Sequence, residues 1–496
     1  MDIAQDMRTV IFVALLGIAA HVAVAQDAPA IGRTLTLDDA IAIARQNNPT
    51  YLQSLNAVRT ADADVRSAYG ALLPSSSASF ASRFQKSGNQ FFNGVALGNS
   101  ANSVSSSYSL GINYNLSAAS LMQPRVSRAS RDAAEADVHG ASEALRAAVT
   151  DEYLVVLQVA ARADVTDSLL TTAAGQLDLA KARVAVGAGT ILDTRSAEVA
   201  LGQAQVATLT AHNAVQIEKL RLFQQLGVMV VDTAVELTTK FDVTPLTFSR
   251  DSVLGIARGV NPAVNALRSR LHAADVDHQV ASAGYTPTLS VGTGWGGNSF
   301  QYTDPNFLVN RAQLSTASSL ASCATLDSIR RGSGLSGTDC SGITFSAADA
   351  NAIRNQNAQF PFKFTNAPFG LSAVVSLPVF DGFRREQRLE QSDITRQDTR
   401  YLLRARELQL NTEVTQAYLN LMTAYRTVAL QEQIAAKARE QLSFAEERYR
   451  AGAAAFLDVT TSRGTFAQAQ IDRVNSVYDY HRAFAALEAA VGRPLR

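Results

Sequence analysis

The chain has 496 residues with 44 basic and 44 acidic side chains, 47% hydrophobic residues and two cysteines. That length leaves room for several domains and a large core. The balanced charge, without a Lys/Arg cluster, offers no footprint for nucleic acid or another polyanion. Beyond residue 25 no run of about 18 apolar residues occurs, which excludes a helical membrane protein.

Taken in chain order, Val10 to Ala20 is apolar, preceded by Arg8 and followed by Ala23-Val24-Ala25. This is the pattern of a secretory signal cut after Ala25. Asp2 and Asp6 are unusual in such a leader and fit an internal start at Met7. A membrane anchor is the alternative, although the run is short for a span. No Cys follows the cleavage position, so no lipid anchor is expected. Removal of residues 1–25 leaves 43 basic and 42 acidic side chains.

The remainder divides into two repeats, about 26–247 and 248–496. Leu37 to Pro49 aligns with Phe248 to Pro262; Asn48-Pro49 matches Asn261-Pro262, and Pro74 matches Pro287, at an offset of 213. Asn followed by Pro fits an N-cap and a first helical position, so a short helix gives way to a longer one that stops before Pro74 or Pro287. The hydrophobic period then changes to two. Tyr108 to Leu116 alternates, and Leu289, Val291 and Trp295 alternate with Ser290, Gly292 and Gly294. Segments around Ala78–Phe84 and Phe369–Val379 supply partners, giving strand hairpins at about 75–120 and 287–380.

Each hairpin is closed by a polar loop, about 85–105 and about 300–365; the second is 48 residues longer and is expected to be irregular. It contains Cys323 and Cys340, which in an exported chain are expected to form a loop disulfide, with two free thiols the alternative.

Helical hairpins follow, about 125–227 and 384–492. Val414, Leu421, Val428, Ala435, Leu442 and Tyr449 recur every seven residues, a coiled-coil-like seam. Each long helix ends in a Gly turn: Arg183 to Asp193 in the first repeat, Arg448 to Asp458 in the second, with Arg, Gly and Asp at a common offset of 265. The return helices end at Leu226-Gly227 and Val491-Gly492. A long helix of about 62 residues reaches roughly 93 Å, while the return helix and the helix before the strands reach roughly 57 and 50 Å. An elongated repeat is expected, with strands at one end and the Gly tip at the other. The fold class is mainly α with β.

Four strands alternating apolar and polar leave open edges in one chain. A membrane accepts only a closed barrel, and single-chain bacterial barrels start at eight strands, so a barrel must be shared between copies. A β-sandwich capping a helical rod is the soluble alternative. An enzyme finds little support: His139, His212, His272, His278 and His481 form no metal-ligand motif, and no nucleotide motif supplies energy. Gly292, Gly294, Gly296 and Gly297 lie on a strand with no helix following, unlike a nucleotide loop.

The Leu-x-x-Ala-Ile…Asn-Asn-Pro opening, its echo, Leu377-Pro378-Val379-Phe380-Asp381-Gly382 and the Gly…Asp tips together resemble the TolC-like outer-membrane efflux proteins. The resemblance spans essentially the whole mature chain except the 300–365 loop. It implies a homotrimer with a shared twelve-stranded β-barrel in the outer membrane and a twelve-helix periplasmic α-barrel closed at the tips. It also implies partners: a periplasmic adaptor, an inner-membrane transporter and outer-membrane lipid, with no cofactor. The cargo would be a drug or protein, passed by tripartite efflux or type I secretion. A periplasmic structural coiled-coil protein without channel activity is the alternative.

In that family, acidic rings at the entrance favour cations, and a Tyr hydrogen-bonds an Asp of the neighbouring hairpin to hold the entrance shut. Tyr449, Asp193 and Asp458 occupy the matching positions. Ala454 replaces the family's latch Arg, Thr461 a second Asp, and Leu192 a Thr. Thr190-x-x-Asp193 also fits a capping box, whereas Asp458 keeps its carboxylate where Ala455 replaces the capping hydroxyl. The small residues Ala188, Gly189, Ala453 and Ala454, with the turn glycines Gly187 and Gly452, are expected to form the adaptor-docking tips.

Overall fold

The computed structural model describes residues 33–92, 95–99, 101–229 and 234–495. The expected signal segment and the Met7 start lie outside the described residues. The first repeat runs β1 (Thr34–Leu35), α1 (Leu37–Asn47), α2 (Pro49–Gly70), β2 (Ser75–Gln85), β3 (Asn89–Phe92), β4 (Val95–Asn99), β5 (Ser103–Leu116), α3 (Ala118–Ala185) and α4 (Ile191–Leu226). After β6 (Glu236–Leu237) the second repeat opens with α5 (Arg250–Val260), α6 (Pro262–Ser282) and β7 (Thr288–Tyr302). It continues through α7 (Phe307–Gly332), α8 (Ala347–Asn357), β8 (Thr365–Asn366), β9 (Gly370–Ser376), α9 (Arg384–Arg450) and α10 (Phe456–Val491). The described residues form two compact units, those up to 60, within 131–271 and from 399 in one and those within 61–130 and 272–398 in the other. Each takes segments from both repeats.

The helical unit holds one core per repeat. Leu145, Val149, Val156, Leu222 and Leu226 are buried in the first; Leu410, Val414, Leu421, Leu487 and Val491, their counterparts 265 residues on, are buried in the second. Each buried aliphatic side chain contributes roughly 1.5–3 kcal/mol relative to exposure. The short helices add Ala40 and Ala44 to one core and Val253 and Ala257 to the other. Asn48 and Asn261 clasp these helices to the hairpins. Asn48 accepts from the Tyr51 N–H at 3.1 Å and donates to the Gln225 carbonyl at 2.9 Å. Asn261 accepts from the Val264 N–H at 3.2 Å and donates to the Ala490 carbonyl at 3.0 Å. The cap expected at Asn-Pro is thus also a tertiary bond.

In the other unit the two strand hairpins merge into one antiparallel sheet of order β2-β5-β7-β9, with β8 as a short extra partner of β7. The join is β5 to β7, paired from Ser103↔Tyr302 to Leu116↔Leu289. Register and the two-residue alternation sort the side chains by face. Phe80, Leu110, Leu289, Trp295 and Val375 share one face; Ser79, Ser109, Asn113, Ser290 and Ser372 share the other, with Gly292, Gly294 and Gly296. Phe80, Leu110, Trp295 and Val375 are all exposed. Among the described residues β2 and β9 lie at the ends of the order with one edge each unpaired.

The expectation of an irregular 300–365 loop is corrected: α7 and α8 occupy much of it. Its apolar residues are diluted by Ser, Ala and Thr, so no helical period stands out, yet these residues tolerate helix. A capping box at Ser346 and Asp349 starts α8, a signal that Ser-x-x-Asp offered in the sequence. Cys323 of α7 is disulfide-bonded to Cys340. The segment after α8 returns across the apolar face, where Phe364 packs edge-on against Tyr108 at 4.8 Å and Phe362 lies 6.3 Å from Phe80. Beneath it Ser106 and Ser299 are buried and share a hydroxyl–hydroxyl hydrogen bond of 2.7 Å.

Candidate gate at the helical-hairpin tips

Both long helices stop by the same backbone device. Gly187 donates to the Val184 carbonyl at 3.0 Å and Ala188 to the Arg183 carbonyl at 2.9 Å. Gly452 donates to Tyr449 at 3.0 Å and Ala453 to Arg448 at 2.8 Å. These are Schellman closures, and they need a residue with φ near +77° and +76°, which glycine supplies at Gly187 and Gly452. Gly189 packs so close that a Cβ there would lie 3.1 Å from that of Arg183. Ala188 and Ala453 are exposed, Gly189 and Ala454 half-buried. Larger apolar side chains stand open beside them: Val186, Ile191, Leu192 and Leu457 are all more than 70% exposed.

The hairpins pack on each other through a small apolar cluster of Leu177, Ala180, Ala197, Leu442, Tyr449, Phe456 and Val459. Tyr449 is 5% exposed and meets Phe456 edge-on at 5.5 Å. Burial raises its phenol pKa above the ordinary value; the Asp193 charge adds to this and Arg183 opposes it. Above the cluster runs a polar chain, in which Arg463 donates to Gln176 at 3.0 Å and Gln176 donates to Glu446 at 3.1 Å.

The two aspartates differ. Asp193 accepts the Thr190 N–H at 3.0 Å, and Thr190 accepts the Asp193 N–H at 3.2 Å, a complete capping box. The Tyr449 hydroxyl is buried without a partner among the described residues, and the Asp193 carboxylate bonds its own helix start. Asp458 is exposed, and its helix start at Ala455 has no side-chain cap.

Arg183 was not singled out from sequence as a site residue. It donates to the Tyr449 and Arg450 carbonyls and covers the Tyr449 ring. Its recurrence as Arg448 at the shared offset was the available signal. Among the described residues no His/Cys/Asp/Glu group suited to a metal ion occurs, and no helix is long and apolar enough to cross a membrane.

A duplicated helical hairpin joined to an open, two-faced sheet defines a channel subunit of the TolC-like type. The model of the family described as Outer membrane efflux protein matches residues 40–228 and 343–493, and the chain belongs to that family. Among solved structures it is similar to the outer membrane protein VceC of Vibrio cholerae, with 16% identity, a TM-score of 0.66, and coverage of 93% of this chain and 97% of that one. The CmeC outer membrane channel of Campylobacter jejuni gives 14%, 0.67, 92% and 85%. The open state of the MtrE outer membrane channel of Neisseria gonorrhoeae gives 16%, 0.66, 93% and 89%. At such identities the likeness concerns fold. A search of curated proteins finds no match. The chain is therefore an outer-membrane efflux channel with a periplasmic helical extension, in a family of channels and not enzymes.

Proposed function

We propose that the protein is the passive exit duct of a tripartite efflux or type I secretion system, working as a homotrimer. The carrying observation is the four-stranded sheet, apolar on one face and Ser/Gly-rich on the other, with both edges open. Open edges in lipid cost several kcal/mol per unpaired backbone group, and closure with two further copies removes them. The apolar face then meets outer-membrane lipid and the polar face lines a wet lumen.

The tips act as a gate that opens when a periplasmic adaptor docks and an energised inner-membrane transporter supplies cargo. Val186, Ile191, Leu192 and Leu457 support docking, because exposed apolar side chains around a small-residue turn suit a protein partner. Asp458 and, more weakly, Asp193 set a negative field at the entrance that favours cations. Photo-cross-linking from position 192 in cells tests the docking. The reading expects capture of a periplasmic protein anchored to the inner membrane, lost on Leu457→Asp. Failure to capture any such protein from either tip would sink it.

A further inference from the structure

Arg183 belongs to the tip motif that recurs at an offset of 265. Its guanidinium carbon lies 4.4 Å from the centroid of the Tyr449 ring. Nη1 donates to the Tyr449 carbonyl and, at 3.1 Å, to that of Arg450, while Nη2 donates to the Ala188 carbonyl at 3.0 Å. One side chain thereby joins the turn of the first hairpin to the last carbonyls of α9. The last carbonyls of a helix carry the negative end of its dipole, and the Tyr449 oxygen has a second lone pair beside the one that accepts the Gly452 N–H, so a cation is well placed there. The ring face adds an attraction that strengthens as water is excluded.

Arg448 provides an internal comparison. It stands at the same place in the second hairpin and donates to its own turn, at the Ala453 carbonyl, over 3.3 Å. Among the described residues it covers no aromatic ring and reaches no carbonyl of the first hairpin. The position equivalent to Tyr449 in the first repeat is Val184, which offers no π face.

We propose that Arg183 is the latch of the tip, holding the two hairpins of a chain together through the Tyr449 ring and the α9 carbonyls. The tyrosine hydroxyl plays no part, because it is buried and unpaired among the described residues. The latch cation therefore sits on the first hairpin, and Ala454 leaves nothing missing from it. Separation of the hairpins draws the guanidinium off the ring. A cavity of about 370 Å3, lined by Leu179, Tyr449, Phe456 and Val459, leaves the ring room to turn as it is released. The proposal deepens the tip-gate reading and rests on it for its consequence in transport.

The test places spin labels at Leu192→Cys and Leu457→Cys in the full-length protein in detergent, with labelled chain diluted in excess unlabelled chain. Both positions are exposed, and the native cysteines are bonded to each other and take no label. Arg183→Ala and Tyr449→Leu are expected to raise the separated population on the order of tenfold. Arg183→Lys, which keeps the charge and loses the planar fork, falls between them and the parent. Tyr449→Phe and Arg448→Ala leave the distance distribution unchanged. An unchanged distribution in Arg183→Ala overturns the latch, and so does Tyr449→Phe separating the hairpins as far as Tyr449→Leu. Conductance of the same variants in planar bilayers then isolates the gate. Separation with raised conductance supports both readings, whereas separation at constant conductance keeps the latch and refutes the tip as gate.

Discussion

Glycines with nearly the same backbone angle should differ in what an added methyl group costs. Gly187 and Gly227 have φ of 77° and 74°. Placing Ala in the left-handed region costs roughly 1–2 kcal/mol, reduced by the ~0.4–1 kcal/mol that Ala removes from unfolded-chain entropy. At the Gly187 tip nothing lies within 4 Å of the new Cβ, so that small cost is the whole effect. At Gly227 the Cβ would lie 2.5 Å from the Asn47 carbonyl oxygen and 2.8 Å from the Asn48 Cα. Both are backbone atoms, and they cannot move without loosening the 2.9 Å bond from Asn48 to the Gln225 carbonyl. An acceptor orphaned there costs about 1–3 kcal/mol more. Gly227→Ala should therefore melt at least ~2 °C below Gly187→Ala, followed by helical circular dichroism in detergent. Duplication supplies a second trial. Gly492 would place a Cβ 2.5 Å from Pro262 Cδ, and Gly452 faces open space, so Gly492→Ala should lose more than Gly452→Ala. Equal melting within each pair would refute the clasp as the rigid joint of each repeat.

Three further outcomes follow from the structure. Asp193→Ala breaks a capping box and should cost ~1 kcal/mol, whereas Asp458→Ala should leave melting unchanged and lower cation preference in bilayer conductance; unaltered selectivity in Asp458→Ala removes the acidic ring. Burial, reinforced by the Glu218 charge, raises the Glu152 carboxyl above its ordinary 4.5. The folded chain then holds that proton more tightly than the unfolded one, so the penalty is absent below pH 4.5 and grows as pH rises through the raised value. Glu152→Gln should accordingly raise the melting temperature at pH 7 and lose that gain near pH 4; a gain equal at both would contradict the assignment. Trp295 is the only tryptophan and stands on the apolar sheet face. Its fluorescence should be quenched by brominated lipid and spared by aqueous iodide, and the reverse would place the wrong face in the membrane.

Much of this was legible from residues because the chain is written twice. Offsets of 213 and 265 located Asn48 and Asn261, Gly187 and Gly452, and both ends of each return helix. The long helix of the second hairpin runs from Arg384 to Arg450, and its heptad spacing and the Gly452 stop are local signals. The joining of the two strand hairpins through β5 and β7 was not legible, because pairing across some 180 residues leaves no local trace. The helices α7 and α8 were missed for want of an apolar stripe. At the tip, periodicity marked Tyr449 as a seam residue and resemblance suggested its hydroxyl as the functional atom. That Arg183 of the first hairpin covers the Tyr449 ring left no local trace, because it depends on how two hairpins distant in sequence meet.

On the proposed function, three chains share their four-stranded sheets to form one membrane-spanning duct. The most direct measurement is single-channel recording in planar bilayers with the purified chain, its native mass determined in the same detergent. A mass of three chains with discrete, cation-preferring conductance steps is the predicted result. A monomer that stays soluble without detergent and passes no current would contradict it.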